Sequence, residues 1–169
     1  MIGAEKHAWI GLGGNLGEAR ATIEEAVRAL ERLPSLKVEA VSGLYRTSPV
    51  DASGPDYVNA VARIGTTLSP MEVLRLLQAV ENDFGRIRPA GVHHAPRTLD
   101  LDLLHYEDAA SSTPELTIPH PRMNERLFVL CPLAEIEPQW ICPGGEPIEA
   151  RIAHIRQIDP TQKICRMED

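Results

Sequence analysis

The run Arg97-Thr98-Leu99-Asp100-Leu101-Asp102-Leu103-Leu104 alternates apolar and acidic residues from Leu99 to Leu103. A strand has a side-chain period of two, so Asp100 and Asp102 stand on one face and the three leucines on the other. The two aspartate Cα atoms are then roughly 6.5–7 Å apart. Carboxylates that close on one sheet face repel unless a cation lies between them. Hard divalent cations prefer oxygen, and Mg²⁺ is typically held by one or two carboxylates together with substrate phosphates.

The residues before this strand say what such a metal would carry. Arg86, Arg88 and Arg97 fall within one short span, with His93 and His94 between them. Arginine forks bind phosphate oxygens, often two at a time. An anionic ligand between arginines and aspartates accounts for both sets of charges. Zinc fits poorly, because no third ligand with suitable spacing accompanies the two histidines. Other catalytic signatures are missing. There is no GxSxG nucleophile turn and no GxxxxGK[ST] loop, and the third glycine of a dinucleotide fingerprint is replaced by Leu16. Gly11–Gly17 therefore reads as a turn between a strand and a helix, or as backbone that a flat ligand can approach closely. Tyr57 and Asn59 share the strand face expected to carry the aspartates. An aromatic beside an amide suits a planar heterocycle.

These residues need a frame. His7 to Leu12 predicts a strand closed by the glycine turn, and Ile23, Val27, Leu30 and Leu33 mark a helix ended by Pro34. Val38 to Tyr45 predicts a second strand and Tyr57 to Thr66 a third. Ser69-Pro70-Met71-Glu72 has the composition of a capping box and opens a second helix that stops at Gly85. A loop from Arg86 to Pro96 leads into the aspartate strand. The order is βαββαβ, with both helices on the leucine face. A short strand near Leu116–Ile118 and helices near Arg126–Glu135 and Ile148–Arg156 would partly cover the other face. The expected fold class is α+β: a ferredoxin-like βαββαβ core with C-terminal additions, a three-layer α/β/α sandwich in one domain over residues 1–169.

The bulk numbers narrow the setting. A net charge of −7 disfavours a nucleic-acid binder. Fourteen of the 17 basic residues are arginine, and aromatics are only 4% of the chain. Three widely spaced cysteines read as free thiols of a reducing cytoplasm. No apolar stretch is long enough to span a bilayer, and a monomer acting on small molecules is expected.

Six segments carry a resemblance: Gly13-Gly14-Asn15-Leu16, Leu44-Tyr45-Arg46-Thr47, Asp56-Tyr57-Val58-Asn59-Ala60, Gly85-Arg86-Ile87-Arg88, Pro96 to Asp102, and Pro119-His120-Pro121-Arg122-Met123. In this order, across about residues 8 to 156, the chain resembles the 6-hydroxymethyl-7,8-dihydropterin pyrophosphokinases of folate biosynthesis. The resemblance implies transfer of pyrophosphate from ATP to the pterin hydroxymethyl group, with release of AMP. It implies two Mg²⁺ ions on Asp100 and Asp102 and phosphate contacts from Arg86 and Arg97. Arg88, Leu103, His120 and Arg126 match further ATP contacts, and Gln78, Glu81 and Thr117 match positions near the nucleotide. The pterin is expected between Tyr57 and Phe128, with Asn59 and the Thr47–Val50 backbone bonding its edges. Loops 47–56 and 85–97 are expected to close over the site. Two departures stand out: His94 occupies a position where many members have tryptophan, and Glu115 one where some have arginine. Two other readings of the residues remain: a different metal-dependent nucleotide enzyme, and a non-catalytic ligand-binding module.

Overall fold

Every second residue of Tyr57–Thr66 is small or branched and apolar: Val58, Ala60, Ala62 and Ile64. Such a face must be covered, and that requirement organises the chain. The computed structural model describes residues 5–15, 19–47, 57–85 and 99–168. In it β1 (Lys6–Asn15), α1 (Ala19–Glu31), β2 (Leu36–Val41), β3 (Tyr45–Thr47), β4 (Tyr57–Thr66), α2 (Pro70–Gly85) and β5 (Asp100–Tyr106) form the core. They are followed by the hairpin strands β6 (Ser111–Ser112) and β7 (Thr117–Ile118), then α3 (Leu127–Ile136), α4 (Ile148–Ile158) and β8 (Ile164–Arg166).

The main sheet runs β5-β1-β4-β3-β8, with β2 also paired to β4. Its described pairings are antiparallel. Helices α1 and α2 bury the first face, where Ile10, Leu12, Ile23, Leu30, Ile64, Leu77 and Leu99 are almost fully enclosed. Burying each such side chain contributes about 1.5–3 kcal/mol. The opposite face packs Trp9, Val61 and Leu104 against Leu127, Leu130 and Leu133 of α3 and Ile152 and Ile155 of α4. Two apolar layers on one sheet give the three-layer arrangement that the sequence predicts.

The capping box forms as expected. Ser69 N–H donates to Glu72 Oε1 at 2.9 Å and Glu72 N–H to Ser69 Oγ at 3.2 Å. Three elements differ from expectation. Strand β1 does not end at Leu12 but runs through Gly13 and Gly14 to Asn15, fully paired with β4. The glycines are strand interior rather than turn. The predicted Val38–Tyr45 strand is two strands interrupted at Ser42–Leu44. Ser42 Oγ accepts from Val61 N–H at 3.0 Å, and Ser42 N–H donates to the Val61 carbonyl at 2.9 Å. The side chain thus takes over a ladder bond while the chain passes from β2 to β3. Finally, β8 adds an edge strand that three residues of ordinary composition do not announce.

Candidate active site

The face away from α1 and α2 holds the site, and strand register builds it. On β5, Asp100 and Asp102 are exposed while Leu101 and Leu103, with Leu99 just before the strand, lie in the helix-side core. Asp100 pairs with Gly13 and Asp102 with Gly11. On the other side of β1, Gly13 pairs with Asn59 and Gly11 with Val61. Asn59 in turn pairs with Tyr45 of β3, and Tyr57 with Thr47. One row across the sheet therefore reads Asp100, Gly13, Asn59, Tyr45, with a glycine separating the acid from the amide.

One of those glycines, Gly13, has a steric reason. A Cβ on Gly13 would lie 2.9 Å from Asn59 Oδ1, closer than real contacts allow. A Cβ on Gly11 would meet Leu104 at 3.5 Å, an ordinary contact, so a methyl there would fit but would stand in the floor. Glycine inside a strand costs backbone entropy and marks a close approach. Here its return is a floor without side chains. A cleft of 350 Å³ opens above it, lined by Gly11, Gly13, Thr47, Tyr57, Asn59, Ala60, Asp100, Asp102, Leu104, Arg126, Phe128 and Val129, with Leu12 contributing at its floor.

Each wall has a distinct chemistry. Asn59 is buried, and its Nδ2 donates to Thr47 Oγ1 at 3.2 Å, which fixes the amide plane. Tyr57 stays 42% exposed at the cleft edge, so its ring face is available. Phe128, in the first turn of α3, forms the facing wall. The Arg126 guanidinium sits 5.3 Å from its ring centroid, a cation–π geometry.

His120 stands beside the acidic end. Its backbone N–H donates to the Leu104 carbonyl at 2.8 Å, and Nδ1 accepts from Arg122 N–H at 3.2 Å. An accepting Nδ1 leaves the proton on Nε2. Burial lowers the imidazole pKa; Asp102 opposes this, and Arg126 and Arg122 add to it. The ring is thus a neutral donor within the field of Asp102.

The cleft brings together Thr47, Tyr57, Asn59, Asp100, Asp102, Arg126 and Phe128, all anticipated from sequence. Others lie elsewhere. The Leu103 side chain is buried beneath the sheet, leaving only its backbone for any ligand. Glu81 lies outside the cleft lining; its Oε2 accepts from Leu101 N–H at 2.7 Å and ties α2 to β5. Gln78, one turn earlier, is exposed on α2. Thr117 Oγ1 donates to the Thr113 carbonyl at 3.2 Å, outside the cleft lining. Glu115 pairs with Arg75 at 3.0 Å, a surface bridge. Arg86, Arg88, Arg97, His93, His94 and Val50 lie outside the described residues. The sequence reading missed Ala60, Leu104 and Val129 as lining. Alternation along β4 could have flagged Ala60 as a small residue, but nothing in the sequence marks the other two.

Comparison with known proteins agrees with this geometry. Residues 9–138 match the family described as 7,8-dihydro-6-hydroxymethylpterin-pyrophosphokinase (HPPK). The 2-amino-4-hydroxy-6-hydroxymethyldihydropteridine pyrophosphokinase of Synechocystis sp. is 43% identical over 155 residues, covering 91% of this chain and 77% of that protein. The Pseudomonas aeruginosa protein of the same name is 40% identical, covering 88% and 91%. A solved structure of a Plasmodium falciparum HPPK-DHPS variant superposes with a TM-score of 0.74 at 15% identity, over 94% of this chain and 47% of that one. The chain thus spans about half the length of that structure, and the likeness shows the shared fold. With a family match over most of its length and close relatives of one name, the chain belongs to the 7,8-dihydro-6-hydroxymethylpterin pyrophosphokinase family.

Proposed function

We propose that the cleft carries out the reaction for which its family is named: pyrophosphate moves from ATP to the hydroxymethyl group of 6-hydroxymethyl-7,8-dihydropterin, with AMP as the other product, in folate biosynthesis. The observation that carries this reading is the glycine-floored row, which sets an acidic pair and a hydrogen-bonded amide at opposite ends of one cleft. A flat pterin fits between Tyr57 and Phe128, with Asn59 and Thr47 meeting its polar edge. The hydroxymethyl group then points toward Asp100 and Asp102.

The donor set suits Mg²⁺. Among the described residues no cluster of three or more His, Cys, Asp or Glu forms a closed metal cage. Two exposed carboxylates on one face supply part of an oxygen shell and leave the rest to phosphates and water, the usual Mg²⁺ pattern. Asp100 and Asp102 would hold two such ions. When bound, the ions neutralise phosphate charge and align the attacking and leaving oxygens. The protein's own contribution is positioning. Asn59 and the two rings hold the acceptor, while Arg126 and the His120 Nε2–H face the polyphosphate. Arg86, Arg88 and Arg97 supply further positive charge, and Gln78, Glu81 and Thr117 lie toward the nucleotide. Displacement at the β-phosphorus is in line, and electrostatics with proximity accounts for most of the acceleration.

The setting is that of a one-domain monomer over residues 1–169 in the cytoplasm, taking small molecules rather than nucleic acid. Three free thiols and an acidic surface charge support it. The test is incubation with ATP, Mg²⁺ and the hydroxymethyl dihydropterin, with nucleotides resolved. AMP forming in step with pterin consumption is expected. ADP would mean a single-phosphoryl kinase, and no turnover a binding module.

A further inference from the structure

Helix α3 carries one wall of the cleft and β3 part of the other. Nothing within either element fixes their separation, yet both are gripped by the same stretch of chain. Gln162 holds the start of α3: Oε1 accepts from Leu127 N–H at 2.8 Å, and Nε2 donates to the Glu125 carbonyl at 2.8 Å. These bonds bracket Arg126 and immediately precede Phe128. The first N–H groups of a helix have no partner within it, so a side-chain acceptor there fixes the helix end. Asp159 Oδ2 accepts from the same Gln162 Nε2 at 3.1 Å and orients the amide.

Two residues later β8 begins. It pairs with β3, setting Ile164 against Thr47 and Arg166 against Tyr45. Arg166 extends the cleft row to a fifth strand. Its Nε donates to Glu135 Oε1 at 3.1 Å, and Tyr45 OH donates to the same oxygen at 2.7 Å. Glu135 Oε2 accepts from Gly43 N–H at 2.8 Å. Glu135 belongs to the last turn of α3, so this cluster locks the helix to β3 and β8 at the end opposite Gln162. The fit is tight: a Cβ on Gly43 would lie 2.5 Å from Arg166 Nη2 and 2.8 Å from its Nε. Burial alone would raise the Glu135 pKa, but the bonds from Arg166, Tyr45 and Gly43 outweigh it and keep the carboxylate charged. The gripping segment lies beyond residue 138, where the family match ends.

We propose that Asp159–Arg166 is a positioning strap that sets the separation of the Phe128 wall from the Thr47–Asn59 wall; its Arg166 end determines affinity for the pterin rather than for ATP, while its Gln162 end also holds Arg126. This rests on the proposed function. The strap residues touch no substrate. They act through Phe128, Thr47 and Asn59, and misplacement of a wall by a fraction of an ångström weakens stacking and edge bonding together.

The test compares steady-state constants of wild-type protein with Arg166→Met, Arg166→Lys, Gly43→Ala and Gln162→Ala, using AMP release with each substrate varied in turn. Arg166→Met and Gly43→Ala are expected to raise KM for the pterin about 10-fold, with KM for ATP within about two-fold and kcat falling less than KM rises. Gln162→Ala moves the pterin KM in the same direction and, through Arg126, the ATP KM as well, whereas Arg166→Lys restores most of the loss because an ammonium still meets Glu135. Gly43→Ala displaces only the guanidinium and keeps the test open should Arg166→Met fold poorly. Equal rises in both KM values in Gly43→Ala and Arg166→Met, or a pterin KM unchanged in those two variants, would overturn the strap with the proposed function intact. A wild-type protein that releases no AMP from these substrates would instead overturn the function, and the strap's role with it.

Discussion

Two ends of the same sheet face have opposite characters. At one end β1 contributes Gly11 and Gly13, β5 contributes Asp100 and Asp102, and β4 contributes Tyr57 and Asn59; the result is a cleft. At the other end the same strands contribute Trp9, His105 and Arg63. Trp9 stacks on His105 with ring centroids 5.6 Å apart and meets Trp140 edge-on at 4.7 Å. Arg63 binds Glu39 at 3.2 Å and also pairs with Glu137. Between the two ends, β5 carries a bulge: Ile10 pairs with Leu103 and Trp9 with His105, leaving Leu104 extra. The bulge puts Leu104 and His105 on one face, so the filled end gains a side chain while the cleft end keeps its alternation. A cavity on a continuous face is thus made by residue size along one strand, Trp-x-Gly-x-Gly, and not by a gap between elements.

The comparison is broken most directly at the acidic end. Asp102→Ala is expected to lower the rate of AMP formation by at least about 10³-fold, with the melting temperature little changed. Near-normal turnover in that variant would remove the metal-binding role from the cleft. Next comes the filled end: Trp9→Ala is expected to cost about 3–5 kcal/mol of stability in denaturant titration, while turnover per folded molecule stays as in the wild type. Loss of specific activity there would mean that the two ends are not independent. A smaller effect is expected from Gly13→Ala, which would push Asn59 aside. It should raise KM for the pterin about 10-fold and leave ATP affinity alone, and an unaltered KM would show that the floor does not set the fit.

Acid sharpens the same contrast. Burial lowers the pKa of His105, and burial is also the largest influence on His120. Unfolded, each takes up a proton near pH 6.5, while the folded protein resists it. The stabilisation from the neutral rings is therefore complete above that pH and is lost as pH falls through the folded values. Denaturation midpoints measured from about pH 7.5 to about pH 5 should decline, and His105→Gln and His120→Gln should each flatten the decline. A decline as steep in both variants as in the wild type would remove the two rings from the acid response.

Much of this plan is legible in the sequence. Alternation placed β4 at its observed ends, the Asp-Leu-Asp repeat placed both carboxylates on the uncovered face, and Ser69–Glu72 placed the start of α2. The glycines were harder. A glycine that turns a chain and one that clears a floor look alike in one dimension, and only pairing with Asn59 and Asp100 separates them. Ser42 misled for a related reason, since its hydroxyl replaces backbone in the ladder and hides a strand break inside an apolar stretch. Glu81 also bonds a backbone amide twenty residues away, a tie between α2 and β5 that spacing cannot show. Strand β8 has three residues, and its bond to the site runs through Glu135 on a different element.

The position of β5 at the border of the sheet has one more consequence. A border strand with open backbone groups invites another chain to add to it, the usual route to self-association. Here the Leu101 N–H is taken by Glu81 and the Leu104 carbonyl by His120 N–H. A would-be partner strand would have to displace both and bring its backbone alongside two carboxylates. The acidic pair that equips the cleft for chemistry also guards the strand that carries it against aggregation.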